Sequence, residues 1–579
     1  MLDVHGWLEK FGAALKTGDG AAVAALFVPD GLWRDYLALG WTLATHEGTE
    51  AIAAFAGARA AESGIGGFAS DVPEGATEGF ITFETALGRG EGYVRLMGEQ
   101  CFTLLTALKE LKGFEEPLRG RRNSGVVDET GKRTWEDVRH DDVEQWSESN
   151  PPYVLVIGAG QGGLALGARL KMLGVPCLLI DKYPRVGDQW RSRYKSLLLH
   201  DPVWYDHMPY VPFPDHWPVY TPKQKMGDWL EYYAAIMELG IWTSTECKGI
   251  SRDPATGRWQ VSLVRDGKPL TLSPEHVVMA VGNAGFPITP TFPGQETFKG
   301  HQCHSSAHPG GEGLAGQRVI VVGANNSAHD ICADLVSHGA EPVMIQRSST
   351  LIVRQSNMET LLAGAYSQQA YDSGLTTDKA DLLSASVPMR LAEKVNKATW
   401  DALRVSEAPF YQRLTDAGFQ VDFGPDGTGI AMKFQRTSSG YYVDVGASEM
   451  VADGRIKVRS GVTIERIDED GLVLSDGSHE RADRIIYATG FGDMKQWVAR
   501  LINPDVAERI GKTWGYGSGF AGDPGPWEGE MKNLWKPTAE PGLWFMAGNL
   551  AMARSYSQYL GLQLKARYEG LPVEPYVPA

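Results

Sequence analysis

The chain has 579 residues, 43% apolar and 22% charged, with a formal net charge of −16. That length exceeds one ordinary core and predicts two or three domains, and the acidic balance excludes a nucleic-acid partner, because neutralising phosphates takes a basic surface. No apolar run approaches the roughly 20 residues that a membrane helix requires, so membrane insertion is not expected.

The opening MLDVHGWLEKFGAALK lacks the basic start and apolar stretch of a secretory signal, and the expected compartment is the cytoplasm. Residues 1–118 read as a helix followed by segments such as GFITFETALG and EGYVRLMGEQCFTLLTAL. Their alternating apolar residues predict antiparallel strands, hence an α+β module. Residues 119–150 turn charged and irregular ahead of Pro151 and Pro152, which predicts a linker or wrapping arm. From there the order strand, glycine turn, helix, strand occurs twice, as in doubly wound nucleotide-binding units.

The first unit, PPYVLVIGAGQGGLALGARLKMLGVPCLLIDK, contains GxGxxG at Gly158, Gly160 and Gly163. With 68 glycines in the chain, about one such match arises by chance. Gly517, Gly519 and Gly522 supply a decoy that no strand precedes and that Pro524 and Pro526 bar from starting a helix. Around Gly158 the context is right: the strand YVLVI leads in, an amphipathic helix follows, and CLLI ends in Asp181. Gly158 permits the tight turn, Gly160 admits a pyrophosphate to the backbone, and Gly163 lets the helix approach the strand. The phosphates then meet the helix N-terminus, and Asp181 is placed to accept from ribose hydroxyls.

The second unit, GQRVIVVGANNSAHDICADLVSHGAEPVMIQRSST, keeps Gly323 but has Asn325 and Ala328 at the next two glycine positions, with Ser327 between them. Asparagine tolerates left-handed backbone better than other non-glycine residues, so a turn at Asn325 remains feasible. The strand VMIQ ends in Arg347, a cation suited to the 2′-phosphate of NADPH. HVVMAVGNAGFPITP and DRIIYATGFGD, with Thr489 and Gly490, read as crossings between two nested units. A helical stretch at about 355–440 is expected to cover the pocket. The predicted division is 1–118, a linker at 119–150, an FAD unit from 151–290 and 489–579, and an NAD(P)H unit from 291–488.

Over residues 150–579 the chain resembles the flavin-containing monooxygenases and their Baeyer-Villiger relatives. The resemblance rests on Gly158 to Gly163, on GDQWRSRY with Gln189 and Trp190, on the degenerate second motif with Arg347, and on Ala488-Thr489-Gly490. A further match lies between the two units, where FKGHQCHSSAH is similar to the family's FxGxxxHxxx(Y/F/W), with Phe298, Gly300 and His304 in register. His308 stands where the family has an aromatic residue, as in the type II subgroup, some of whose members accept NADH as well as NADPH. His200 and Asp201 replace an active-site asparagine region, which weakens an N-oxygenase reading. The N-terminal module resembles the cone-shaped NTF2-like (SnoaL-like) fold, with Asp35 and His46 as its candidate catalytic pair and a shielding or dimerising role as the better fit.

The resemblance implies FAD, NADPH (with NADH as an alternative), O2, and a C4a-(hydro)peroxyflavin. It predicts Baeyer-Villiger oxidation of a small ketone to an ester or lactone, with sulfide or amine oxygenation as the alternative. His200, Asp201 and His304 are the candidate catalytic residues, and a homodimer is expected. A zinc site at His301, Cys303, His304 and His308 is the weaker reading of that segment, because the serines and the Pro-Gly-Gly stop oppose a long helix. A disulfide reductase requires a redox pair, yet Cys101, Cys177, Cys247, Cys303 and Cys332 form no CxxC. A flavin-binding redox sensor or scaffold is the non-enzymatic alternative.

Overall fold

The computed structural model describes residues 3–578 except 126, 128, 129, 284, 363, 521 and 524. The first helix, Val4–Thr17, is capped by the Asp3 side chain, ends at Gly18 in the left-handed region, and buries Val4, Trp7, Leu8, Phe11 and Leu15 along one stripe. With Gly20–Ala24 and Gly48–Ser63 it covers a six-stranded sheet. Its strands lie in the order Leu43–Glu47, Phe27–Tyr36, Gln100–Leu111, Gly88–Met97, Glu78–Glu84 and Gly66–Ala69. The pairing is antiparallel with one exception, since Phe27–Tyr36 and Gln100–Leu111 run parallel. An intervening helix and two hairpins give the chain the length to return in the same sense.

The charged segment 119–150 is not wholly irregular. Thr134 and Asp137 form a capping box for the helix Trp135–Glu144. Its charges have partners: Asp142 pairs with Lys171 at 2.8 Å and Glu144 with Arg265 at 3.0 Å. The periodicity was hidden because this helix buries none of its residues fully.

Two five-stranded parallel sheets follow. One has the order Leu543–Phe545, His276–Met279, Val154–Ile157, Cys177–Ile180, Ile241–Trp242; the other His301–His304, Arg484–Tyr487, Arg318–Val322, Glu341–Gln346, Lys457–Ser460. Strands buried on both faces explain the unbroken runs VLVI and VIVV. The chain thus leaves the first sheet, builds the second, and returns to complete the first. Between them helices such as Thr377–Ala385, Met389–Ser406 and Gly429–Thr437 form the predicted helical stretch.

The long helix Leu550–Tyr568 packs on the first sheet's helix Gln161–Met172 and on strand Gln100–Leu111 of the N-terminal module. Tyr36, Leu105 and Leu108 therefore join the core of the first nucleotide unit. One face of the module's sheet is thus covered by a helix of the same chain. The C-terminal tail also returns to this module, where the Tyr576 N–H donates to the Gly40 carbonyl at 2.7 Å.

Candidate functional site

Gly158 has φ +109, and a Cβ there would stand 2.4 Å from the Ala280 carbonyl oxygen. At Gly163 it would lie 1.9 Å from the Gly158 oxygen. Gly160 differs: it is extended, and its Cβ would meet only the Gln189 amide, at 3.2 Å. The following helix Gln161–Met172 starts without a side-chain cap, leaving its first N–H groups for a ligand. Beside this turn the buried Gln189 Nε2 and Trp190 Nε1 lack hydrogen-bond partners among the described residues. An open backbone approach, uncapped donors and two orphaned N–H groups fit a dinucleotide such as FAD. Asp181 braces the same turn, accepting from Ala159 N at 2.8 Å and Tyr183 N at 2.9 Å. Burial raises its pKa, and those two N–H groups oppose the shift.

The second cradle repeats the first. Gly323 has φ +128 with the Ala488 oxygen 2.3 Å from an added Cβ, and helix Asn326–Ser337 again lacks a side-chain cap. Asn325 is not left-handed but extended, at φ −102 and ψ −168. Gly160 is extended too, at φ −78; this position requires a small approach to a ligand rather than positive φ, so asparagine fits. Ser327 lies in the helix's first turn, and Arg347 is exposed directly after strand Glu341–Gln346. Both suit a nicotinamide dinucleotide.

The crossings between the two sheets bond to each other. Ile288 N donates to Gly490 O at 3.0 Å, Gly492 N donates to Phe286 O at 2.9 Å, and Thr489 Oγ1 donates to Ile288 O. His304 ties this hinge to its own strand. Its Nδ1 accepts from Ser306 N at 3.1 Å, so Nε2 carries the proton and donates to Gly490 O at 3.0 Å. Burial, with help from Arg193, lowers its pKa. Both nitrogens being engaged, His304 serves here as a strut of the hinge. Gly300 is required because a Cβ would stand 2.3 Å from Asp483 O and 2.6 Å from the Phe298 ring.

His308 is buried with neither ring nitrogen partnered among the described residues. Its titratable neighbours are Asp334, Arg484 and His301, late in helix Asn326–Ser337 and at the starts of strands Arg484–Tyr487 and His301–His304. Among the described residues the only His/Cys/Asp/Glu set with ligand atoms mutually within 4.8 Å is Asp468, Asp470 and His479, at the surface. The zinc reading of the His301–His308 segment therefore has no geometry behind it.

His200 and Asp201 lie on a loop between the two units. The His200 ring stands edge-on to Tyr441 at 6.3 Å. Burial raises the Asp201 pKa, and His200 opposes the shift. Asp206, on the same loop, is buried with Oδ1 unpartnered; burial and then Asp201 hold its carboxyl well above the usual range. From the second unit Asp330 accepts from Tyr194 OH at 2.7 Å, and burial pushes it up to about 6 against Tyr194, His200 and Arg193.

Several of these residues escaped sequence reasoning. Asp206, Arg193, Asn283 and Asp330 carry no spacing signal, although Asn283 lies in the glycine turn after strand His276–Met279. Its Oδ1 is orphaned while Nδ2 donates to Ser438 at 3.2 Å. Arg554, in helix Leu550–Tyr568, donates to the carbonyls of Tyr205 at 2.7 Å and His207 at 2.9 Å.

The candidate pair of the N-terminal module is structural. Asp35 accepts from Leu39 N, Gly40 N and Thr106 Oγ1, the last at 2.6 Å, which fills its oxygens. His46 stacks on Phe55 at 3.7 Å, and burial lowers its pKa to about 3. The Gly517 motif is a loop closed around buried Asp523, which accepts from Tyr516 N and Ser518 N; Pro524 lies outside the described residues.

A protein-family profile described as pyridine nucleotide-disulphide oxidoreductase matches residues 155–437. Indole-3-pyruvate monooxygenase YUCCA1 of Oryza sativa subsp. japonica is 29% identical over 359 residues, 62% of this chain and 81% of that protein. Over that stretch the chain is similar to flavin-dependent monooxygenases. Another such relative, indole-3-pyruvate monooxygenase YUCCA6 of Arabidopsis thaliana, is 28% identical over 353 residues, 59% of this chain and 77% of that protein. The caprolactone-bound crystal structure of cyclohexanone monooxygenase shares the fold at TM-score 0.52 and 18% identity, covering 72% of this chain and 88% of that one. Its relatives and structural neighbours are flavoprotein monooxygenases, and the chain is an enzyme. Its N-terminal 150 residues lie outside the matched profile.

Proposed function

We propose that the enzyme binds FAD at Gly158–Gly163 and NADPH at Gly323–Ser327, and uses O2 to oxygenate a small organic substrate, a ketone in the first instance. The observation that carries this is the pair of uncapped helix cradles flanking one bonded hinge, with the His200–Asp201 loop between them. On this reading residues 151–290 and 489–579 make the FAD unit, 291–488 the NADPH unit, and 1–118 an NTF2-like module. The module's strand order and three-helix cover support that likeness.

When bound, FAD supplies the electron transfer and oxygen activation. The protein supplies the rest. Gln189 and Trp190 would hold FAD through otherwise unpaired N–H groups, and Arg347 would suit the 2′-phosphate of NADPH. His200, beside Asp201 and Asp330, would donate a hydrogen bond to the substrate oxygen, while Tyr205 and Tyr441 would screen it from water. The curated relatives are named for indole-3-pyruvate, which carries a ketone carbonyl, and this favours ketone chemistry. The five cysteines are free, so disulfide reduction lacks its dithiol.

The test is product analysis with the FAD-loaded enzyme on a cyclic ketone and a sulfide, with NADPH and with NADH. Lactone from the ketone is expected. His200→Asn should lower the ketone rate about tenfold or more relative to the sulfide rate; equal rates and an unchanged product ratio would remove His200 from the mechanism. Sulfoxide without lactone would favour heteroatom oxygenation, and NADPH consumption yielding hydrogen peroxide alone would overturn the reading.

A further inference from the structure

A line of buried polar contacts joins the N-terminal module to the catalytic loop at the Tyr205 and His207 carbonyls, apart from the direct bond that Tyr210 OH makes to Glu116 at the loop's far end. It begins at Arg34, 2% exposed, whose Nε and NH2 grip Glu530 at 2.6 and 2.7 Å. Tyr36 and Thr45 add hydroxyl donors to the same carboxylate. The remaining Arg34 nitrogen, NH1, reaches out of the module to Ala385 O at 2.8 Å and Val387 O at 3.3 Å. Arg95 adds a bond to Ser386 O at 3.0 Å. These carbonyls end the helix Thr377–Ala385, where two cations also complement the helix dipole.

One turn back on that helix, Asp381 receives Arg554 through Nε and NH2 at 2.8 and 2.7 Å, with Tyr366 OH and Ser555 Oγ as further donors. Arg554 spends NH1 on the Tyr205 and His207 carbonyls, the two that flank Asp206. Each side-chain nitrogen of Arg34 and of Arg554 has a partner. A buried arginine held bidentate has one geometry. Movement of the helix end therefore moves Arg554, and Arg554 moves the loop that carries His200 and Asp201.

We propose that the N-terminal module is a clamp on the catalytic loop, with Arg34 as a positioning residue acting through helix Thr377–Ala385 and Arg554 on the Tyr205 and His207 carbonyls. Its catalytic consequence rests on the monooxygenase reading above; its mechanical part does not. A loop held this way keeps water from the reacting atoms, so loosening it diverts electrons from substrate to hydrogen peroxide.

The test uses the FAD-loaded full chain with the double substitution Arg34→Met and Glu530→Gln, which releases the helix end without leaving a buried charge unpaired. Deuterium uptake in residues 199–210 should rise about threefold or more, although residue 34 touches none of them. The fraction of NADPH ending as hydrogen peroxide should rise with it, while the KM for NADPH holds. Arg34→Lys, which keeps a cation between Glu530 and the Ala385 carbonyl, should restore most of both and serves if the double variant folds poorly. Faster exchange confined to residues 27–47, with 199–210 unchanged, would overturn the clamp. A parent enzyme that forms no oxygenated product would overturn the monooxygenase reading instead, and the exchange result would still decide the clamp.

Discussion

At Gly160 an added Cβ meets a flexible amide, whereas at Gly163 it runs into a carbonyl oxygen. The first backbone also suits alanine and the second leaves it no room. Gly160→Ala should therefore keep the parent's melting temperature while weakening FAD by about tenfold, or about 1.4 kcal/mol. Gly163→Ala should lower both, as fluorescence titration and thermal melts would report; unchanged FAD affinity in Gly160→Ala would mean that the pyrophosphate does not cross this turn. His46 offers a prediction in pH. Its folded pKa is about 3 against an ordinary 6.5, so between those values the unfolded chain binds a proton that the folded one refuses. Stability present above about pH 6.5 is lost as pH falls, by about 1.4 kcal/mol per unit. His46→Phe should gain on the parent in melting temperature between pH 7 and 5, and a flat difference would show that His46 charges freely in the fold. The glycines of both motifs were legible because spacing encodes a turn. Asp206 and Arg554 were not, because a charged residue in a loop or mid-helix looks the same in sequence whether buried or solvated.

The strand His301–His304 shows how a signature builds an element. Phe298 packs beneath it, Gly300 clears Asp483, and His304 fastens its end to the hinge. Gly300→Ala should displace this strand from Arg484–Tyr487. The expected result is slowed flavin reduction by NADPH with FAD content retained, read by stopped-flow absorbance; equal loss of FAD would show that the strand serves the first cradle as well. The elements were legible where burial gave a pattern, as in VLVI and the stripe of Val4–Thr17. They were hidden where charge pairs do the holding, as in Trp135–Glu144. At Asn325 the turn is made without positive φ, so asparagine's tolerance of that region is not called on.

At the scale of the molecule, Arg34 and Glu530 form a buried pair that spans two units. Glu530→Gln alone should cost about 3–5 kcal/mol, because it strands a buried guanidinium, whereas the double substitution with Arg34→Met should cost less than either single one. Chemical denaturation of the three variants checks the order; additive losses would mean that the pair is solvated. The two parallel sheets were expected from the repeated pattern of strand, glycine turn and helix. The docking of the N-terminal module was not, since nothing in a sequence marks which sheet face meets a helix 450 residues later.

The first parallel sheet receives its edge strand from Leu543–Phe545, long after His276–Met279 has been made. At about 5–20 residues per second, the roughly 260 residues between them take about 13–50 s to synthesise. Through that interval the growing chain on the ribosome carries an unfinished sheet edge and a module whose docking helix does not yet exist. The cradle proposed for FAD therefore lies in a sheet that is completed only when that last strand has been made.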